Sequence, residues 1–272
     1  MKTFASLIVL LLFAFTASGS PMLREETEAG DPCNLTGTYQ AGTDISSCST
    51  ITVGSLTVPA GVTLDLSKAK DGATINFTDS SAGNGLAQNT DGFDMTKNDH
   101  VTITGNKIYN QDDCLAMQSS TNTIFSNNLC SGSHGISVGS IGGAAVDQTT
   151  TVSGLTVQGN TITNSDNGLR IKTLIGMKGL VTNVKYINNQ LNNVKNAIAI
   201  HSDYSRSTGA YTGAATSLVT ISDITVDGLT GSAGQIYDIV VNPSVVSGWT
   251  FKGITVNGAK GSCKGQPAGI TC

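Results

Sequence analysis

Charge is scarce in this 272-residue chain. Asp, Glu, Lys and Arg make up 12% of it and aromatic residues 5%, with 5 prolines, 3 histidines and 1 tryptophan. No run of Lys or Arg offers a track for phosphates, and the net charge of −4 further disfavours a nucleic-acid partner. No CxxC pair occurs and histidine is rare, so a metal centre finds no ligand set. The stretch GSHGIS (132–137) lacks the spacing of a dinucleotide loop. Neither a metal nor another cofactor is expected. Beyond the first twenty residues no apolar run could span a bilayer, so no membrane partner is expected either. No segment there has a convincing helical period.

What is present is Gly, 32 residues of it, with Ser, Thr and Asn around recurring short apolar runs. This composition is not that of a disordered chain. Residues 1–19 read as a secretory signal peptide: Lys2, an apolar stretch from Leu7 to Phe15, and the small residues Ala17, Ser18 and Gly19. Residues 20–32 are a charged lead-in or pro-segment, and 33–272 are expected to form one domain. Export makes disulfides favourable. Six cysteines permit 15 pairings. The expected set joins near neighbours: Cys33 with Cys48, Cys114 with Cys130, and Cys263 with Cys272. Asn34 and Asn76 begin N-x-Thr glycosylation sequences.

The chain repeats itself. ITVGSLTV from Ile51, VTITGNKI from Val101, NTIFSNNL from Asn122, LTVQGNTI from Leu155, VKYINNQL from Val184, VTISDITV from Val219 and WTFKGITV from Trp249 share one form. Each is a short strand, a small or polar corner and a second short strand. From Val101 the starts lie 21, 33, 29, 35 and 30 residues apart. A unit this small cannot bury its apolar face alone, so the units must stack. Stacked units of this length predict an all-β fold, a right-handed parallel β-helix. An antiparallel sandwich is the competing fold, disfavoured because Asn-Gly hairpin turns are few. Asn106, Asn127, Asn160 and Asn189 are expected to form a hydrogen-bonded ladder, and Trp249 to fill the core near the C-terminal end.

Stacking turns sequence intervals into proximity. Asp91 lies 22 residues before Asp113 and His134 lies 21 after it. The three, with Asp112, should share one face on successive coils roughly 4.8 Å apart. Arg170 and Lys172 are expected two coils later, pointing outward if Ile171 points inward, and His201 and Tyr204 on the coil after that. Two carboxylates about 5 Å apart repel by roughly 3 kcal/mol at an effective dielectric of ~20. One acid would then be held protonated near neutrality beside an ionised one, as glycosidic bond hydrolysis requires. The sequence GISVG (135–139) also fits a nucleophile elbow with Ser137, but no helix follows it. His100 and His201 read as surface or turn histidines.

NTDGFD (89–94), QDDC (111–114), SHGISVGSIG (133–142) and RIK (170–172) resemble, in order, the four signature segments of family 28 of the glycoside hydrolases. The likeness is to secreted polygalacturonases of plant-associated fungi and oomycetes, and it runs from about Cys33 to Cys272. It implies a right-handed parallel β-helix and inverting hydrolysis of α-1,4-galacturonan (pectin, polygalacturonate); endo action is expected because no long loops close the cleft ends, and the protein is expected to be an extracellular monomer. A plant inhibitor protein is implied as a further partner. By the resemblance Asp112 is the general acid, Asp91 and Asp113 hold and activate water, and His134 tunes the acid. Arg170 and Lys172 grip the substrate carboxylate and Tyr204 contacts the sugar. A separation near 5 Å is the spacing of retaining enzymes, so inversion rests on the resemblance alone.

Two departures stand out. Ser133 occupies a position where the family carries Gly, at an expected cost of about 1 kcal/mol if backbone freedom is needed there. Between ATINF (73–77) and NTDGFD, roughly ninety residues of the family are absent, which shortens the helix on its N-terminal side. A second function class follows from that gap: an inactive paralogue that still binds pectin or an inhibitor protein.

Overall fold

Residues 31–59, 61–77, 80–81 and 89–272 are described by the structure, a computed structural model. The expected leader, and all but two residues of the lead-in, lie outside them. Apart from one turn of 3-10 helix at Gln148–Thr150, the described regular structure is all strand. The strands wind as a right-handed parallel β-helix. Antiparallel pairing among the described residues is confined to Ala210–Tyr211 against Tyr204 and Ser205 and to a bridge between Gly143 and Lys178.

Register gives the true coil lengths. Thr102 pairs with Ile124, Ile124 with Thr156, Thr156 with Lys185, Lys185 with Thr225 and Thr225 with Thr250. The shortest coil has 22 residues. Longer ones carry excursions, the two largest being Gly142–Thr150 and the loop past Ser205. The first of these corrects an expectation: Gly135–Ile141 pairs directly with Asn167–Leu174, so Arg170 and Lys172 lie one coil after His134, not two.

Alternation along the strands builds the core. Leu115, Ile136, Leu169 and Ile198 stack in register, as do Met117, Val138, Ile171 and Ile200, and all eight are buried. Burying each such side chain stabilises by roughly 1.5–3 kcal/mol. The alternate positions, Ala116, Ser137 and Arg170, therefore share the other face. Trp249 is buried as expected and donates Nε1–H to the Ile221 carbonyl at 3.0 Å.

The asparagine ladder is present, with one member corrected. It runs through Asn106, Asn128, Asn160 and Asn189, joined by side-chain bonds of 2.7, 3.1 and 3.0 Å. Asn127 sits at the corner, with φ of +55°, and the residues before the other ladder members do likewise: Gly105, Gly159 and Asn188. Asn tolerates this left-handed conformation, so an Asn-Asn pair supplies both corner and ladder. Replacing Asn160 with Ala is expected to cost at least about 3 kcal/mol. The change strands Asn128, Asn189 and the Phe125 carbonyl in a dry interior. A denaturant-midpoint change equivalent to under 1 kcal/mol would refute this reading of the ladder.

At the N-terminal end Asn34–Thr38, Thr50–Thr57 and Thr74–Phe77 stack in parallel, and Thr74 and Ile75 pair directly with Thr102 and Ile103. The cap thus joins the first acid-bearing coil without intervening turns. The three disulfides are the near-neighbour ones, Cys33–Cys48, Cys114–Cys130 and Cys263–Cys272. Asn34 is exposed; the side chain of Asn76 lies outside the described residues.

Candidate active site

The acids come together where the ribbon of stacked strands begins. Phe93–Asp99, Asp113–Thr121, Gly135–Ile141 and Asn167–Leu174 are consecutive strands of that ribbon. Asp91, Asp112 and His134 stand in the corners just before their strands. The Asp113 amide donates to Asp91 Oδ1 at 3.0 Å and to Asp112 Oδ1 at 2.8 Å. Asn110 pins the corner, with Nδ2 within 2.9–3.0 Å of the Thr90, Asp112 and Asp113 carbonyls. The Asn89 amide donates to Asp112 Oδ2 at 3.2 Å.

Glycines make this crowding possible. A Cβ on Gly92 would lie 2.7 Å from the Cys114 carbonyl oxygen. On Gly135, where φ is +107°, it would lie 2.3 Å from that of Asn167. Ser133 needs no such freedom. It is buried, its Oγ lies 3.0 Å from Ser165 Oγ, and it accepts the Gly135 amide at 3.1 Å. The strain expected of this departure is absent.

Asp113 is nearly sealed, with 3% of its side chain exposed, and meets two cations: Arg170 through Nη2, and Lys172 Nζ at 3.1 Å. Ser137 donates Oγ–H to Asp113 at 2.7 Å and accepts Arg170 Nε–H at 2.8 Å. It is buried within the strand Gly135–Ile141 and no α-helix follows that strand, which removes the nucleophile elbow. The two cations expected to grip the substrate carboxylate are thus also engaged with an acid of the cluster. Tyr204 lies beside them, with Lys172 Nζ 5.5 Å from its ring centre.

The three acids are electrostatically distinct. Asp91 is pushed up to about 7, first by burial and then by the charges of Asp112 and Asp113. Burial, rather than the repulsion expected from the sequence, is the leading cause. Asp112 is pulled down to about 2, chiefly by its hydrogen bond with His134 (Nδ1 to Oδ1, 2.8 Å), and the same bond raises His134. Asp112, Asp113 and His134 each offer a ligand atom within 4.8 Å of the others. The ammonium and guanidinium already neutralise Asp113, so this cluster is poorly suited to a divalent cation.

An open cleft of about 810 Å³ is lined by Asp91, Asp112, His134, Arg170, Lys172 and Tyr204. Two features of it escaped the sequence. Tyr211 also lines the cleft, from a loop with no repeat signature. His201 is not a surface histidine but 3% exposed, between Asp203 and Asp238. His100 is exposed in a left-handed turn beside Asp99, as expected.

The profile of Glycosyl hydrolases family 28 matches residues 73–272. The Probable endopolygalacturonase I of Aspergillus flavus is 34% identical over 348 aligned positions, covering 91% of this chain and 93% of its own. Since 91% of 272 residues is about 248, about 100 of those positions have no counterpart here. Endopolygalacturonase B of Aspergillus niger is 40% identical over 200 residues, 71% of this chain and 54% of its own. Among solved structures, the endo-xylogalacturonan hydrolase of Aspergillus tubingensis is similar with a TM-score of 0.63 at 26% identity, covering 88% of this chain. Endopolygalacturonase I of Stereum purpureum, solved with two galacturonates, gives 0.55 at 27% identity and covers 85%. The chain spans 66% of the length of each solved protein.

Proposed function

From its membership of the glycosyl hydrolases family 28, to which this chain belongs, and from the acid cluster, we propose that it hydrolyses α-1,4-galacturonosyl linkages within polygalacturonate. The carrying observation is the convergence of Asp91, Asp112, Asp113 and His134 at the mouth of a cleft that also holds Arg170 and Lys172. Relatives named endopolygalacturonases support internal cleavage. Three disulfides and the expected leader over 1–19 support an extracellular site of action. About 100 absent positions favour a second reading, a shortened protein that binds the polymer and cuts it poorly or not at all.

In the proposed reaction the Asp112–His134 pair holds one proton between its two members. As the glycosidic oxygen develops charge, that proton moves from His134 Nδ1 through Asp112 to the oxygen, leaving Asp112 ionised and His134 neutral until solvent returns a proton to the pair. Water, held between Asp91 and Asp113, attacks the anomeric carbon from the opposite side and inverts it, and Asp91 takes the water's proton. A base whose conjugate acid titrates near 7 is well matched to this task. Asp113, ion-paired with both cations, orients the water.

The pH dependence of kcat/KM follows. Asp91 must be ionised, so activity rises with pH through about 7. His134 must be protonated, so activity falls again through its raised value. A bell with its acid limb far above the usual carboxylate range is expected. An acid limb near 4 would remove Asp91 as base.

Arg170 and Lys172 supply the charge that reads a uronate carboxylate, sharing it with Asp113. Polygalacturonate should therefore be cut at least about tenfold faster than highly methyl-esterified pectin. Lys172→Ala should narrow that preference. Equal rates on both polymers, measured as reducing ends released by the purified protein, would rule out this role.

A further inference from the structure

His201 is a buried imidazole that the proposed chemistry does not use. Its Nδ1 lies 2.8 Å from Asp203 Oδ1, and its Nε2 lies 3.4 Å from Asp238 Oδ1, at ion-pair distance but without hydrogen-bond alignment. Burial lowers the imidazole's proton affinity, but the two carboxylates raise it by more, so the ring is held toward its cationic form. Asp203 does a second task. Its Oδ2 accepts the Gly213 amide at 2.7 Å, and its carbonyl accepts the Thr212 amide at 2.9 Å. One acid thus ties the imidazole to the returning arm of the loop past Ser205.

The tip of that loop, Ala210–Tyr211, pairs antiparallel with Tyr204 and Ser205. The Tyr211 ring lies flat on the His201 imidazole, with centroids 3.7 Å apart and planes at 11°. Tyr204 meets it nearly edge-on, at 5.8 Å and 69°. Held this way, Tyr211 remains 38% exposed and lines the cleft that contains Asp112, Arg170 and Lys172.

A buried charge triad is an inefficient way to gain stability. In register, His201 stacks between Lys172 and Val240 on the face that alternates with the core, yet it is 3% exposed, and an apolar side chain would also tolerate such burial. What the triad supplies is a fixed orientation: a flat plate against an aromatic ring that stays 38% exposed and lines the cleft. Aromatic rings bind the apolar C–H face of a sugar, and a ring locked in place loses little entropy on doing so.

We infer that Tyr211 is a further sugar-contacting residue, walling with Tyr204 the subsite beyond Arg170 and Lys172, and that His201 is the positioning residue that orients its ring. This rests on the polygalacturonan reading, because the ligand is a uronate ring of that polymer.

The test combines kinetics on oligogalacturonates with calorimetric binding of trigalacturonate to the Asp112→Asn protein. Tyr211→Ala should raise KM and weaken trigalacturonate binding about five- to tenfold, with kcat within about twofold. Tyr211→Phe, which keeps the ring, should restore most of the binding. His201→Asn should act in the same direction, and the double variant should be no worse than Tyr211→Ala alone, because one effect passes through the other. Additive losses would overturn the positioning role. Should His201→Asn fail to fold, the two Tyr211 variants still decide the sugar contact. An active wild type with unchanged Tyr211→Ala overturns the inference and leaves the hydrolase reading standing. An inert wild type whose trigalacturonate binding still depends on Tyr211 overturns the hydrolase reading alone. An inert wild type without such binding overturns both.

Discussion

Asp112→Asn is expected to lower kcat on polygalacturonate by at least about 100-fold. The substitution preserves shape but leaves no group to relay the His134 proton to the leaving oxygen. The loss should shrink on a substrate whose leaving group needs no proton, such as an aryl oligogalacturonoside. Ser137→Ala should cost about tenfold or less. It removes one hydrogen bond to Asp113 and one from Arg170, while the ion pairs between those residues remain. A near-normal rate for Asp112→Asn would remove the acid from the mechanism, and a larger loss for Ser137→Ala than for Asp112→Asn would reverse their ranking.

Restoring the absent coils is expected to have the second-largest effect. Coils of a β-helix are held mainly by their neighbours, so removing some shortens the stack without forbidding it. The short form closes because Thr74 and Ile75 pair with Thr102 and Ile103. On the ribbon that carries the acids the closure is incomplete. Among the described residues, Phe93–Asp99 has a strand partner only on its Asp113–Thr121 side. Its other edge faces a hollow of about 660 Å³ lined by Leu64, Leu66, Ile75 and Asp91. Sugar-binding surface beside Asp91 would be what the lost coils supplied, and remote binding lost in this way lowers turnover as well as affinity. Inserting a relative's segment after Phe77 should raise kcat/KM on long oligogalacturonates by about tenfold or more. A short form already equal to a full-length relative on these substrates would show those coils to be dispensable.

The repeat made the fold legible, because strand, corner and strand recur closely enough for Asp91, Asp113 and His134 to be aligned by counting. Counting failed where a coil carries an excursion. The Gly142–Thr150 detour lengthens the interval between His134 and Arg170, so counting places Arg170 and Lys172 a coil too far on, and the loop bearing Tyr211 has no periodic signature at all. Asn127 was assigned to the ladder because Asn-Asn gives no hint of which member bends and which bonds; only the left-handed φ of the first decides it. His201 read as a surface histidine because its partners Asp203 and Asp238 meet it through a side-chain bond across two residues and through the next coil. The proton near neutrality was anticipated from repulsion, but which acid carries it depends on burial and on the His134 bond. Neither is visible in a string of residues.

The most direct test is the release of reducing ends from polygalacturonate by the purified protein, followed together with solution viscosity. Reducing ends should appear, viscosity should fall while few bonds are broken, and Asp112→Asn should suppress both changes. Polymer bound but left uncut by the wild type at every pH from 4 to 9 would contradict it.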